Sequence, residues 1–387
     1  MLHSESAASA SDVADSTRGG EGGEKGLASL DNSEGETTST VRRVERVLAR
    51  ASVSIARMNT ASERSITSRG VHFTALWTLM AVIVAVGFWP HQTWENRVVA
   101  ALLAVVAARG IAATSDAGHL ERSRFEDPLL SLGGTLGSLA LMRGAGVAPI
   151  LAATLIGVAG GIGVRRLRGA RDYHGAPIYV GAFVGITSPL VVPNFWWVLA
   201  AGILAGVVWS VSREAWVGVG GKMGTMALVS TAAVSLVARL VHQGGLGEHA
   251  LRAHGFVLWA FVVGLVAAPL SFYLSHTLRW GAVLGSAVPT AVFAVAMTRL
   301  PVSWQLHGGV LSYLWYGSSF VGMTLPSRLA WPHVSIPLTG LLFTWIALHF
   351  GSYFSGLGGT AGFTALLAVF IARGAQSLTR RPRILKG

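Results

Sequence analysis

The chain has 387 residues, 52% of them hydrophobic and only 12% charged, with a mean hydropathy of +0.54. A soluble domain carries about 25% charged residues, so this composition points away from a soluble enzyme and toward a multi-span helical membrane protein, and the long apolar runs do not alternate as a porin-type barrel requires. The net charge of +12 sits mostly in arginines at the ends of apolar runs, which suits a membrane interface rather than nucleic acid, and the lack of cysteine excludes disulfides, thiol catalysis and cysteine-based metal sites.

Residues 1–40 are rich in Ser, Gly, Glu, Ala and Thr and predict a disordered tail without the apolar core of a signal peptide. Residues 41–66 open a different pattern. Val41, Val44, Val47, Leu48, Ala51, Ile55 and Met58 recur at helical spacing, with Arg42, Arg43, Arg46, Arg50 and Arg57 between them. This predicts a basic amphipathic juxtamembrane helix lying on anionic lipids.

Twelve spans are predicted from Val71 onward. Two accessory spans fill 71–115, at 71–89 and 98–115. Five follow within 128–238: 128–142, 146–163, 176–193, 195–212 and 216–238. Five more lie within 255–375: 255–274, 278–298, 305–325, 335–354 and 357–375. The segment 128–142 is too short for an upright span of about 20 residues, which suggests a half-helix or a re-entrant segment. Residues 376–387 form a basic tail. With twelve spans, the arginines before residue 70, those at Arg165, Arg166, Arg168 and Arg171, and those at Arg380, Arg381 and Arg383 all face the cytoplasm, as do both termini.

Two short echoes connect the five-span segments. Phe183-Val184-Gly185-Ile186-Thr187 returns as Phe320-Val321-Gly322-Met323-Thr324. Gly220-Gly221-Lys222-Met223-Gly224 returns as Gly358-Gly359-Thr360-Ala361-Gly362. The near-constant offset predicts one five-helix unit present twice. Two units with an odd number of spans must sit in opposite orientations. The expected fold is therefore all-α: a polytopic membrane protein of about twelve segments, with two inverted five-helix repeats after two extra helices.

The FVGxT elements are the leading site candidates. Gly185 and Gly322 let the backbone turn or approach a permeant. Thr187 and Thr324 offer hydroxyls, and Pro189 and Pro326 prevent a regular helix from continuing. Broken helices at membrane depth are tolerated only where buried or lining a cavity. The plainer reading is that these glycines serve helix packing. His174 and His307 open the two spans that carry the echo, as titratable donors at matched vestibules or as interfacial histidines bonded to loops. Lys222 stands alone between Lys25 and Lys386, one or two turns inside its span. It could attract an anion, or it could snorkel to the interface. Tyr313, Trp315 and Tyr316 precede the second echo and could line an entrance or pack against lipid.

Acids narrow the function. No Asp or Glu follows Glu248, and those before it fall at span ends or in loops. Proton-coupled transporters usually hold a titratable group inside the bilayer, and metal-dependent lipid enzymes cluster acids around Mg²⁺. No HExxH, paired-histidine spacing or nucleotide loop occurs, so no cofactor, no metal and no enzymatic activity are expected.

The inferred architecture is similar to that of urea-transporter-type channels, which also duplicate a five-helix unit in inverted orientation; the leucine-transporter-like fold shares the five-plus-five count. This likeness is of architecture alone and assigns no site residue. The expected function is a plasma-membrane channel or facilitative transporter for a small neutral or anionic solute, with a homo-oligomer as the expected assembly and the pathway at Gly185, Thr187, Gly322, Thr324, His174, His307 and Lys222. The alternatives are an ion-coupled secondary transporter and a membrane-embedded lipid-handling enzyme or subunit.

Overall fold

The computed structural model describes residues 94–112, 125–168, 175–241, 256–350 and 355–379, all within the unit Thr67–Gly387. The tail 1–40, the basic helix 41–66, the accessory span 71–89, His174 and residues 380–387 lie outside the described residues.

Among the described residues the regular structure is helical, with no strand. The helices are α1 (Trp94–Ala112), α2 (Asp127–Leu139), α3 (Pro149–Arg168), α4 (Gly175–Gly185), α5 (Phe195–Val211), α6 (Lys222–Leu240), α7 (Val257–Phe272), α8 (Gly281–Thr298), α9 (Val302–Val321), α10 (Pro332–Phe350) and α11 (Thr360–Thr379). Five are long and apolar enough to cross a membrane: α6, α7 with its extension to Thr277, α8, α10 and α11. Apolar surroundings force every backbone N–H and C=O into an internal bond, and a helix does this within one segment.

Helix packing relies on small residues. α2 lies against α4 and α5, and α7 lies against α9 and α10. At the α2–α4 crossing a β-carbon on Gly181 would overlap the Ser131 carbonyl, so the two backbones touch directly. Hydroxyls secure these contacts. Ser131 Oγ donates to the Gly202 carbonyl of α5 at 2.8 Å, and Thr135 Oγ1 donates to the Gly181 carbonyl at 3.0 Å. Ser318 Oγ of α9 donates to the Gly264 carbonyl of α7 at 2.8 Å. The helix α1 packs on α11 at the far end of the chain.

The short segment 128–142 ends in an unusual way. α2 widens into a π-helical turn, Ala140–Gly144, and the chain leaves it through Gly146 at φ 65. α7 ends in the same way. Its π-helical turn is Tyr273–Thr277, and the chain leaves through Arg279 at φ 57. The hydrogen bonds correspond: Ala145 N to Ala140 O and Val147 N to Leu141 O in one, Leu278 N to Tyr273 O and Trp280 N to Leu274 O in the other. Both turns feed the next helix at once, at Pro149 and Gly281.

Candidate functional site

The two FVGxT elements end their helices. α4 stops at Gly185 and α9 at Val321, so each threonine lies in the turn that follows. Pro189 and Pro326 lack the N–H that a continuing helix would need. Thr187 and Thr324 are both fully buried. Thr187 Oγ1 donates to the Val184 carbonyl at 2.6 Å and accepts the Gly358 N–H at 3.2 Å. Thr324 Oγ1 accepts the Gly220 N–H at 3.1 Å. The next residues repeat the exchange through the backbone: Ser188 N donates to Gly356 O at 2.8 Å, and Leu325 N donates to Gly218 O at 2.8 Å.

The Gly-Gly elements thus present backbone to the FVGxT elements. Their geometry requires glycine. Gly218 and Gly221 have φ of 74° and 84°, and Gly356 and Gly359 have 82° and 92°. Side chains rarely adopt that region. Gly221 and Gly359 immediately precede α6 and α11, and these helices cross where Gly224 meets Gly362.

Gly185 and Gly322 face neighbouring helices. A β-carbon on Gly185 would press on Thr135 and Ser138 of α2, and one on Gly322 on Ala268 and Ser271 of α7. The four FVGxT residues therefore form packing contacts and backbone clamps. The two threonine hydroxyls are engaged by the chain itself.

Lys222 begins α6 instead of lying inside it, because the left-handed Gly221 sets the helix start. Its side chain is buried. Nζ donates to the Arg213 carbonyl at 2.6 Å and stands 4.9 Å from the Trp209 ring centroid. Arg213 in turn holds Asp127, with one nitrogen at 2.7 Å and 2.6 Å from the two carboxylate oxygens. Asp127 is the first residue of α2 and is fully buried. Reading by spans placed Asp127 at a helix end and gave Arg213 no role; their meeting needs the α2–α5 contact.

His307 stacks on Phe256, with ring centroids 3.7 Å apart, and its Nδ1 is buried without a hydrogen-bond partner. His276, which the sequence reading did not single out, lies on the second π turn against the backbone of Gly322, Met323 and Thr324.

A further cluster lies one helical turn before each FVGxT. Tyr179 precedes Phe183 by four residues, and Tyr316 precedes Phe320 by four, so the echo is longer than first read: YxxxFVGxT in both places. The four rings pack together. Phe183 and Phe320 are 5.3 Å apart, Tyr179 and Phe320 6.2 Å, and Phe183 and Tyr316 5.7 Å between centroids. The Tyr179 hydroxyl lies beside Ser286 and Tyr316, yet neither phenol reaches hydrogen-bond geometry with a protein partner. Ser286 Oγ and Ser319 Oγ are 2.7 Å apart, and Thr290 Oγ1 donates to Ser319 Oγ at 3.3 Å. Tyr316 stands among the aromatics named before the second echo, and extending the echo by one turn adds Tyr179; nothing local marks the α8 hydroxyls.

A cleft of about 400 Å³ opens between the start of α3, the end of α8 and the first half of α9. Ile150, Ala294, Thr298, Gly308 and Ser312 are among its lining residues. Among the described residues no three His, Asp or Glu gather as a metal site would need.

Five apolar spanning-length helices, packed through small residues around buried hydroxyls, give the chain the make-up of a helical membrane protein. Comparison with protein families, curated proteins and solved structures found no match.

Proposed function

We propose that the protein is a membrane channel or facilitative transporter for a small neutral or anionic solute, built from two inverted five-helix units, 128–238 and 255–375, behind two accessory helices. The observation that carries this reading is the exchanged clamp: Thr187 on Gly358 and Thr324 on Gly220. A contact made twice with its partners exchanged is what a two-fold axis between halves produces. Each unit holds five of the twelve proposed spans, so the axis lies in the membrane plane. The paired π turns and the paired left-handed glycines support the same relation. Broken helices between two such units are where solute routes lie in membrane transporters.

In this reading the protein sits in the plasma membrane with both termini cytoplasmic, carries solute rather than catalysing a reaction, and can assemble as a homo-oligomer. Gly224 and Gly362, equivalent positions that touch, then lie on the axis, and Lys222, two residues from Gly224, stays a candidate for the route. The test is flux. Liposomes holding the purified full-length protein should equilibrate a small solute without an ion gradient. Uptake that strictly requires a proton or sodium gradient would replace this reading with ion-coupled transport, and no uptake across a broad solute panel would sink both.

A further inference from the structure

We propose that the buried phenols of Tyr179 and Tyr316, beside the bonded Ser286–Ser319 pair, bind a small uncharged solute that offers both hydrogen-bond donors and acceptors, reached through the cleft between α3, α8 and α9. This rests on the transport reading for the solute's passage, but the site stands on its own geometry.

Helix register links the cleft to the hydroxyls. Ala294 and Thr298 line the cleft on α8, and Thr290 and Ser286 continue the same face one and two turns further in. Ser312 lines it on α9, and Tyr316 and Ser319 continue that face. The two faces meet, because Ser319 contacts both Ser286 and Thr290. Tyr179 reaches the same point from α4, its ring seated on Gly157 of α3, where a β-carbon would collide with it. A buried layer of hydroxyls, contributed by α4, α8 and α9, therefore lies one to two helical turns beyond the residues that line the cleft.

The layer is incomplete. Tyr179 is fully buried and Tyr316 is 3% exposed; their hydroxyls lie beside each other and Ser286, but neither forms a hydrogen bond of good geometry. Buried polar groups are nearly always paired, so two adjacent orphans need an explanation. A molecule that donates to one phenol and accepts from the other supplies it. The side chains named carry no charge, so an ion would leave its hydration shell with nothing to replace it. A neutral amide or polyol loses far less. Thr187 and Thr324 are excluded from this role because their hydroxyls already hold backbone N–H groups.

The absence of cysteine provides a clean test, since Ser286→Cys would carry the chain's one thiol. In proteoliposomes of the full-length protein, methyl methanethiosulfonate, small and neutral, should modify Ser286→Cys at least about tenfold faster than its negatively charged sulfonatoethyl analogue. Acetamide or glycerol should slow that modification. Thr187→Cys should stay unmodified. Adding Tyr316→Phe to Ser286→Cys should raise the protecting concentration about tenfold, the loss of one hydrogen bond. Ser319→Cys provides the same readout if Ser286→Cys fails to fold.

An inert thiol at both serines overturns the site. So does modification that neither acetamide nor glycerol slows, which would make the layer a water pocket. Flux measured on the wild-type protein separates the two ideas. Flux with an unprotected thiol removes the site and leaves transport standing; a protected thiol without flux removes transport and leaves the site.

Discussion

Thr187 Oγ1 accepts the N–H of Gly358 at 3.2 Å, across 171 positions of chain. Thr324 does the same for Gly220 at 3.1 Å, across 104 positions. Each threonine satisfies a buried N–H that has turned away from its own helix. Thr187→Val and Thr324→Val keep the shape and strand that donor, which costs about 1–3 kcal/mol each. We expect similar losses in denaturation midpoint for the two variants, and near-complete recovery with serine. A wild-type midpoint for either valine variant would show that its clamp contributes nothing.

Asp127 and Arg213 form a buried pair whose desolvation is already spent. Removing one partner leaves the other charged in an apolar site. Asp127→Leu or Arg213→Met should each destabilise the protein by about 3–5 kcal/mol. Joining Asp127→Leu to Arg213→Met should restore most of that loss. Strictly additive losses in this double-mutant cycle would refute a direct partnership.

Glycines on α2 and α4 make opposite predictions. A β-carbon on Gly181 meets the Ser131 carbonyl, whereas one on Gly133 meets nothing within 4 Å. Gly181→Ala should lower folded yield and thermal stability sharply. Gly133→Ala should be neutral or gain up to about 1 kcal/mol from helix propensity. Equal behaviour of the two in a thermal unfolding assay would argue against the close α2–α4 crossing.

Arg279 occupies the left-handed region with φ 57 and an exposed side chain. The corresponding position after the first π turn is Gly146, at φ 65. Arg279→Gly should be more stable than Arg279→Ala by about 1 kcal/mol, since only the β-carbon resists this backbone. The alanine variant matching or exceeding glycine would remove the strain argument.

Sequence alone carried the helical class and the likeness of the two FVGxT segments, but not their contact with the Gly-Gly segments. The FVGxT echo was legible because the same backbone clamp, built twice, demands the same residues: a small one to approach α2 or α7, a hydroxyl to hold an N–H, and a proline to stop the helix. What the echo means chemically was less legible. Glycine and threonine read equally well as a permeant's path or as packing, and only the positions of Gly220 and Gly358 show the hydroxyls in use. The tyrosines were visible but unremarkable, since aromatic residues abound in any membrane helix. Lys222 looked internal because hydropathy does not register a left-handed glycine. The Asp127–Arg213 pair had no signal at all, because 86 positions separate two residues that each resemble an ordinary interfacial charge.

The crossing of α6 and α11 at Gly224 and Gly362 also governs how the protein can be made. Gly358, Gly359 and Gly362 leave the ribosome long after Thr187, Ser188 and Gly224. Until they arrive, Thr187 has no N–H to hold, Ser188 no carbonyl to reach, and Gly224 no facing backbone. The early helices must wait in the bilayer with these groups unmet. A product truncated before residue 356 would lack part of every one of these contacts, and cellular quality control would meet it as an unfinished protein rather than as a half-sized working one.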